Sequence, residues 1–98
     1  MNANEYINGM ADLLRTTSAD YVRIEDVNGK KRIAAKFHSV SEMNAEMKKA
    51  FIANAETLRA LNTGLKALRA SGEIKSATNC WAPTLLEGGI ELRMDFGF

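Results

Sequence analysis

The sequence is poor in the residues that build covalent or metal-held frameworks. Its 98 residues include one cysteine, one histidine and one proline. One cysteine cannot form an intrachain disulfide, and one cysteine with one histidine cannot supply the ligands of a Cys/His zinc site. We therefore expect no metal and no cofactor, and a fold that rests on a single modest hydrophobic core.

An excess of charge and a long apolar run are also lacking. Thirteen Lys and Arg against twelve Asp and Glu leave a net charge of +1, so no overall field draws the chain to nucleic acid or acidic lipid. No apolar run approaches the ~20 residues that cross a bilayer, which predicts no membrane partner. The first residues have neither the basic nor the apolar region of a secretory signal. With the unpaired cysteine, this favours the cytoplasm.

Residues 3–15 are predicted to form the first helix of a single domain that spans residues 1–98. Asn2 and Glu5 have capping-box spacing, in which each side chain bonds the other residue's backbone N–H. Gly9 disfavours a helix by about 1 kcal/mol relative to alanine, so it indicates a close approach of another element. The apolar face consists of Tyr6, Ile7, Met10, Ala11, Leu13 and Leu14.

Residues 20–38 are predicted to form a β-hairpin around Asn28-Gly29. Both central residues of a type I′ turn need positive φ, which Asn and Gly tolerate best. A two-residue loop there places Ile24 opposite Ile33 and matches apolar with apolar and acid with base along the hairpin. A slip by one residue would mix the two faces.

Residues 39–71 are predicted to form one long helix. Ser39 and Glu42 repeat the capping-box spacing, and Gly72 supplies a stop. About 31 helical residues would span roughly 46 Å, whereas a globule of this length has a radius of gyration of about 13 Å. The helix must therefore overhang the sheet, break near residues 62–64, or meet a partner.

Residues 73–98 are predicted to form a second hairpin. Apolar and other residues alternate without exception from Ile90 to Phe98, which is typical of a half-buried strand. A partner strand lies within 74–86, and Pro83 makes it an edge strand or bulges it near 82–84. A tight turn at Gly88-Gly89 would form three apolar pairs: Leu85 with Leu92, Pro83 with Met94, and Trp81 with Phe96.

The predicted element order is α-β-β-α-β-β. Each αββ unit has one amphipathic helix and one hairpin with a single apolar face. The simplest packing is an α+β fold, in which two hairpins make a four-stranded antiparallel sheet and one short and one long helix pack on one face.

The polar face of the first hairpin combines cations with an aromatic residue. Such a face suits a phosphate backbone or an acidic protein patch. Residues 20–38 carry a net charge of only +2, and antiparallel sheets commonly expose one solvated face. Binding of an anionic partner is therefore the weaker hypothesis, and its candidate residues are Tyr21, Arg23, Lys30, Arg32 and Lys36.

Four apolar residues are candidates for contact with a protein partner. Methionine adapts to irregular surfaces, and tryptophan is enriched among interface hot spots. Three of the four lie in the first half of the long helix, where an overhang would expose them. The candidates are Met43, Met47, Phe51 and Trp81.

The sequence contains too few residues in catalytic arrangements to predict an enzyme. His38, with Asp20 opposite it in the hairpin, is accompanied by no nucleophile or oxyanion motif. We predict a small non-catalytic protein-binding module that acts by surface contact, of the inhibitor or adaptor type that mobile elements also encode. It would self-associate as a homodimer through the long helix or a sheet edge. The alternatives are a nucleic-acid-binding protein and a structural assembly subunit.

Overall fold

The computed structural model describes residues 1–78 and 83–98. Three helices and five strands follow one another in these ranges: α1 (Ala3–Leu14), β1 (Tyr21–Val27), β2 (Lys30–Phe37), α2 (Val40–Ala53), α3 (Ala55–Ser71), β3 (Ser76–Ala77), β4 (Thr84–Leu86) and β5 (Gly89–Gly97). The predicted α+β class and antiparallel sheet are confirmed. The predicted count of two helices and four strands is wrong for the described residues, because the long helix and one strand are each divided.

The capping box of α1 forms as predicted. The Glu5 backbone N–H donates to Asn2 Oδ1 at 2.8 Å, and the Asn2 N–H donates to Glu5 Oε1 at 3.0 Å. The close approach at Gly9 is confirmed as well, because a Cβ there would lie 2.9 Å from Leu61 Cδ2 of α3. Seven of the twelve residues of α1 are buried, and α1 contacts both the sheet and the other two helices.

The first hairpin has the predicted turn and register. Asn28 and Gly29 both adopt positive φ, and Ile24 pairs with Ile33. The turn residues set this register locally. Burial favours the same register, because a slip by one residue would turn Val22 and Ile24 away from the core.

The strand order is β1-β2-β5-β3, and β4 also pairs with β5. The long strand β5 therefore lies beside β2 and brings the last segment of the chain next to the first hairpin. One face of this sheet carries the helices and the buried residues, among them Ile33, Leu92 and Phe96. The Tyr6 ring meets the Phe96 ring edge-on, with centroids 5.5 Å apart.

The second hairpin has a different register from the one predicted. Leu85 pairs with Ile90, not with Leu92, so the turn residues are Glu87 and Gly88. Gly88 has a φ of +79°, and a side chain at Gly89 would run into the backbone carbonyl oxygen of Phe37. The two glycines thus have separate roles, one in the turn and one in the close packing of β5 on β2.

On the side of β5 away from β2, the partner strand is interrupted, because β3 ends at Ala77 and β4 begins at Thr84. β3 and β4 pair with β5 in registers that differ by two residues, because seven residue steps separate Ala77 from Thr84 whereas five separate their partners Phe96 and Glu91. Pro83 has no N–H to donate, which is consistent with this interruption. The predicted pair of Trp81 with Phe96 lies outside the described residues.

The predicted long helix breaks at Asn54, not near residues 62–64. Asn54 leaves helical geometry with φ −121° and ψ 36° and ends α2, and α3 begins at the next residue. Its backbone N–H and its Nδ2 both donate to the Ala50 oxygen, at 3.0 and 2.8 Å. The longest dimension of the molecule is 39 Å, which is shorter than the straight helix would be.

The second capping box is only half formed. Ser39 Oγ accepts from the Glu42 N–H at 3.1 Å. The Glu42 carboxylate accepts from Ser18 Oγ instead, at 2.8 Å, and Glu46 accepts from the Ser18 N–H at 2.7 Å. The connection that follows α1 is therefore attached to the first turns of α2.

Within the described ranges, no helix combines the length and apolar character that a membrane crossing requires.

Candidate functional site

A concave surface follows α2 and reaches the first residue of α3, across the break at Asn54. An apolar groove of about 670 Å³ lies there, which we call the elbow groove. It brings together three of the four predicted interface residues, Met43, Met47 and Phe51. The full lining is Met43, Asn44, Met47, Lys48, Phe51, Ile52 and Ala55.

The helical repeat explains how these side chains share one surface. Met43 and Met47 are one turn apart on the core side of α2 and are almost fully buried, at 2% and 5% exposure. They form the floor of the groove, and Phe51, one further turn along, is half-buried beside them. The prediction placed the two methionines on an exposed overhang; the structure instead buries them beneath the groove.

Ile52 is the residue of this surface that the sequence analysis missed. It is 69% exposed, although it is a large aliphatic side chain. It lies outside the apolar stripe of the predicted helix and was not among the predicted interface residues. It follows Lys48 by four positions and precedes Ala55 by three, so the helical repeat places it on the surface that lines the groove.

A second hollow of about 400 Å³ continues from the groove along α3 and shares Phe51 and Ala55 with it. Cationic side chains line the two hollows, with Lys48 at the elbow and Arg59 and Lys66 along α3. Among the described lining residues there is no carboxylate. The concave surface is therefore apolar at its floor and positively charged at its border.

Trp81, the fourth predicted interface residue, lies outside the described residues. The five predicted anion-binding residues all lie on the sheet face away from the helices, as the hairpin register requires. We call this surface the outer face. It holds Tyr21, Arg23, Lys30, Arg32 and Lys36.

The outer face also receives acidic residues that the sequence analysis did not place there. Pairing of β2 with β5 sets Asp95 opposite Arg32 and Glu91 opposite Lys36. Arg32 donates to both carboxylate oxygens of Asp95, at 2.8 and 3.1 Å. Lys36 Nζ lies 3.1 Å from Asp20 Oδ2. Two of the predicted phosphate ligands are therefore engaged in ion pairs within the chain.

These contacts change the acidity of the groups concerned. The hydrogen bonds from Arg32 lower the pKa of Asp95, against a smaller effect of burial. Burial alone would raise the pKa of Glu91, but the hydrogen bonds from Tyr21 and Arg93 outweigh it and lower that pKa. The hydrogen bond to Glu91 raises the pKa of Tyr21. The arrangement stabilises charged carboxylates and a neutral phenol.

Arg23 is exposed and stacks on the Tyr21 ring, with its guanidinium carbon 3.8 Å from the ring centroid. Lys30 is also exposed, at the start of β2. These are the two predicted cations that have no ion pair within the described ranges. His38 is largely exposed, and its Nε2 lies 3.6 Å from Asp20 Oδ1.

Comparison with known proteins identifies no relative. No family model matches the chain, and no curated sequence or solved structure shows a significant match.

Proposed function

We propose that the chain is a small non-catalytic protein-binding module whose contact surface is the elbow groove. The observation that carries the proposal is the exposed Ile52 at the border of an apolar groove floored by Met43 and Met47. A concave apolar surface with a polar border is the usual site for an apolar side chain of a partner.

The charges at the border specify the chemistry of the partner. Lys48, Arg59 and Lys66 border the two hollows, and none has an ion pair within the described residues. Complementary charge around an apolar contact directs partner choice and association rate. The partner segment we propose is an amphipathic helix with an apolar stripe and flanking acidic residues.

Capture from a cytosolic lysate tests this function when two matched variants are compared. Ile52→Asp places a charge at the groove. Leu85→Asp makes the same change at another exposed aliphatic residue, on β4, where the side chain is 82% exposed. We expect Ile52→Asp to weaken capture of a stoichiometric protein at least about tenfold, because burial of an aliphatic side chain is worth ~1.5–3 kcal/mol.

The control variant and nuclease treatment complete the design. Leu85→Asp should capture the same protein as the unmodified chain, and the catch should survive nuclease. Equal losses in the two variants would show that the groove is not the contact surface. The captured protein, once purified, should bind more weakly to Lys66→Glu than to Lys75→Glu, a reversal near β3.

The nucleic-acid alternative has less support. Arg32 and Lys36 are engaged with Asp95 and Asp20, so of the four cations predicted to bind an anionic partner only Arg23 and Lys30 have no ion pair among the residues that the structure describes. Phosphate-driven affinity needs several such contacts and falls steeply with salt. Loss of the captured material on nuclease treatment would favour this alternative.

The third possibility is a structural assembly subunit. Such a protein would form oligomers larger than a dimer as its concentration rises. For the module itself we propose the cytoplasm as its location.

A further inference from the structure

We infer that the free edge of β1 pairs with β1 of a second copy, in one defined antiparallel register centred on Ile24. The strand order leaves β1 at the end of the sheet, where it pairs with β2 only among the described strands. This inference does not depend on the elbow groove. It concerns another part of the fold and another partner.

The hairpin geometry determines which backbone groups of β1 face outwards. Val27 and Lys30 flank the two-residue turn, so they form a hydrogen-bonded pair, and such pairs alternate along the hairpin. The N–H and C=O groups of Val22, Ile24 and Asp26 therefore point away from β2. Consistent with this, Arg15 Nη2 reaches the Val22 oxygen from outside the sheet, at 3.4 Å.

Two charges on β1 have no ion-pair partner within the described residues. Glu25 lies opposite Arg32 in the hairpin, but the Arg32 guanidinium binds both oxygens of Asp95. Arg23 lies over the Tyr21 ring. An acid and a base are thus presented on the outer face of the same edge strand, two positions apart.

The positions of these charges distinguish the possible registers. When Ile24 faces Ile24 of the second copy, Arg23 of each copy faces Glu25 of the other, in the pairs whose side chains are closest. A register centred on residue 23 places arginine against arginine, and one centred on residue 25 places glutamate against glutamate. Opposite charges therefore meet only in the register centred on Ile24.

The remaining contacts of this register are compatible with it. Tyr21 faces Val27 of the second copy, an aromatic with a β-branched residue, which is a favourable cross-strand pair. Asp26 faces Val22 of the other copy and keeps its ion pair with Lys31 of its own chain. The Arg15 contact with the Val22 oxygen, at 3.4 Å, is long and therefore weak, so a backbone N–H of the second copy can replace it.

A charge exchange tests the register in the full chain. Sedimentation equilibrium should show a dimer for the unmodified protein, and Arg23→Glu or Glu25→Arg should each raise the dissociation constant about tenfold or more. The double exchange Arg23→Glu with Glu25→Arg should restore the dimer, because opposite charges again face each other. Lys75→Glu, at the other end of the sheet, should leave it unchanged. Thermal melts confirm that each variant is folded.

Amide exchange gives a second readout that does not depend on any variant. As protein concentration rises, the N–H groups of Val22, Ile24 and Asp26 should become protected, whereas those of Arg23 and Glu25 are protected already by β2. A monomer throughout the micromolar to millimolar range would overturn the inference. So would folded single reversals that dimerise normally, or a dimer dissociated by Ile52→Asp.

Discussion

Arg32 and Asp95, 63 positions apart in the chain, form a two-pronged ion pair across the β2–β5 ladder. Their side chains are 21% and 27% exposed, so water screens the pair only in part. The pair joins the first hairpin to the last strand. It also occupies a guanidinium that the sequence alone presents as a phosphate ligand.

Acid should weaken the fold partly through Asp95. Its pKa is lowered in the folded chain because Arg32 donates to the carboxylate, so its contribution is present above the pKa of the unfolded chain and is lost as pH falls through the folded value. We expect the free energy of unfolding to decrease as pH falls below about 5, towards and through the lowered pKa of Asp95. Asp95→Asn should remove about 1 kcal/mol at neutral pH and flatten this decrease.

Denaturant titrations at several pH values measure this effect. The matched control is Asp12→Asn, which breaks the exposed ion pair of Asp12 with Arg15. That change should shift stability by less than about 0.5 kcal/mol. Identical pH profiles for Asp95→Asn and the unmodified chain would contradict the structural role of the pair.

The two glycines of the last hairpin should respond differently to substitution. A Cβ at Gly89 would meet the Phe37 carbonyl oxygen, which is backbone and cannot turn aside; Gly89→Ala should therefore destabilise the fold by about 2 kcal/mol. Gly88 has positive φ but open space around it. Gly88→Asn should be the milder change, below about 1 kcal/mol, because asparagine enters this conformation most readily. Chemical denaturation ranks the two, and a larger loss for Gly88→Asn would contradict the assignment.

The bend between α2 and α3 should persist when Asn54 is replaced by alanine. The substitution removes a side-chain hydrogen bond to Ala50. Because residue 54 stays outside helical geometry, alanine gains no helix propensity there, and stability should fall by about 0.5–1.5 kcal/mol. The packing of Leu61 on Gly9 remains, and with it the direction of α3.

Spin labels at the exposed positions Lys49 and Ala70 report the angle of this bend. Pulsed electron resonance should give the same distance distribution for the parent chain and for Asn54→Ala. A shift to a longer distance in the alanine variant would show that Asn54 itself, rather than the contact with α1, bends the helix.

The register of the second hairpin could not be predicted from the alternation of apolar residues. The alternation in β5 identified the strand, but a run of alternating residues allows several registers that differ by two positions and keep the same face. In the structure, Gly89 lies in β5 and not in the turn, and its lack of a side chain matters because the Phe37 carbonyl lies against it. That contact joins positions far apart in the chain.

The candidate site divides in the same way. Met43, Met47 and Phe51 follow from helical spacing and could be grouped in advance. The exposed Ile52 and the cations Arg59 and Lys66 follow the same helical spacing, but only the structure shows that they border a hollow. No glycine or proline at Asn54 marks the break between the two helices.

Local chemistry determined the elements whose partners are close in sequence. The Asn2–Glu5 capping box and the Asn28-Gly29 turn each depend on a few consecutive residues, so their geometry could be read from the chain. The tertiary structure decided what depends on distant partners: β5 beside β2, which pairs Arg32 with Asp95 on the outer face, and the packing of α3 on α1, where Leu61 meets Gly9. Backbone geometry allows few conformations for a helix cap or a two-residue turn, so these local elements can be predicted. Contacts between distant elements are decided by burial and charge pairing. Many arrangements of the elements satisfy these until the whole core is packed.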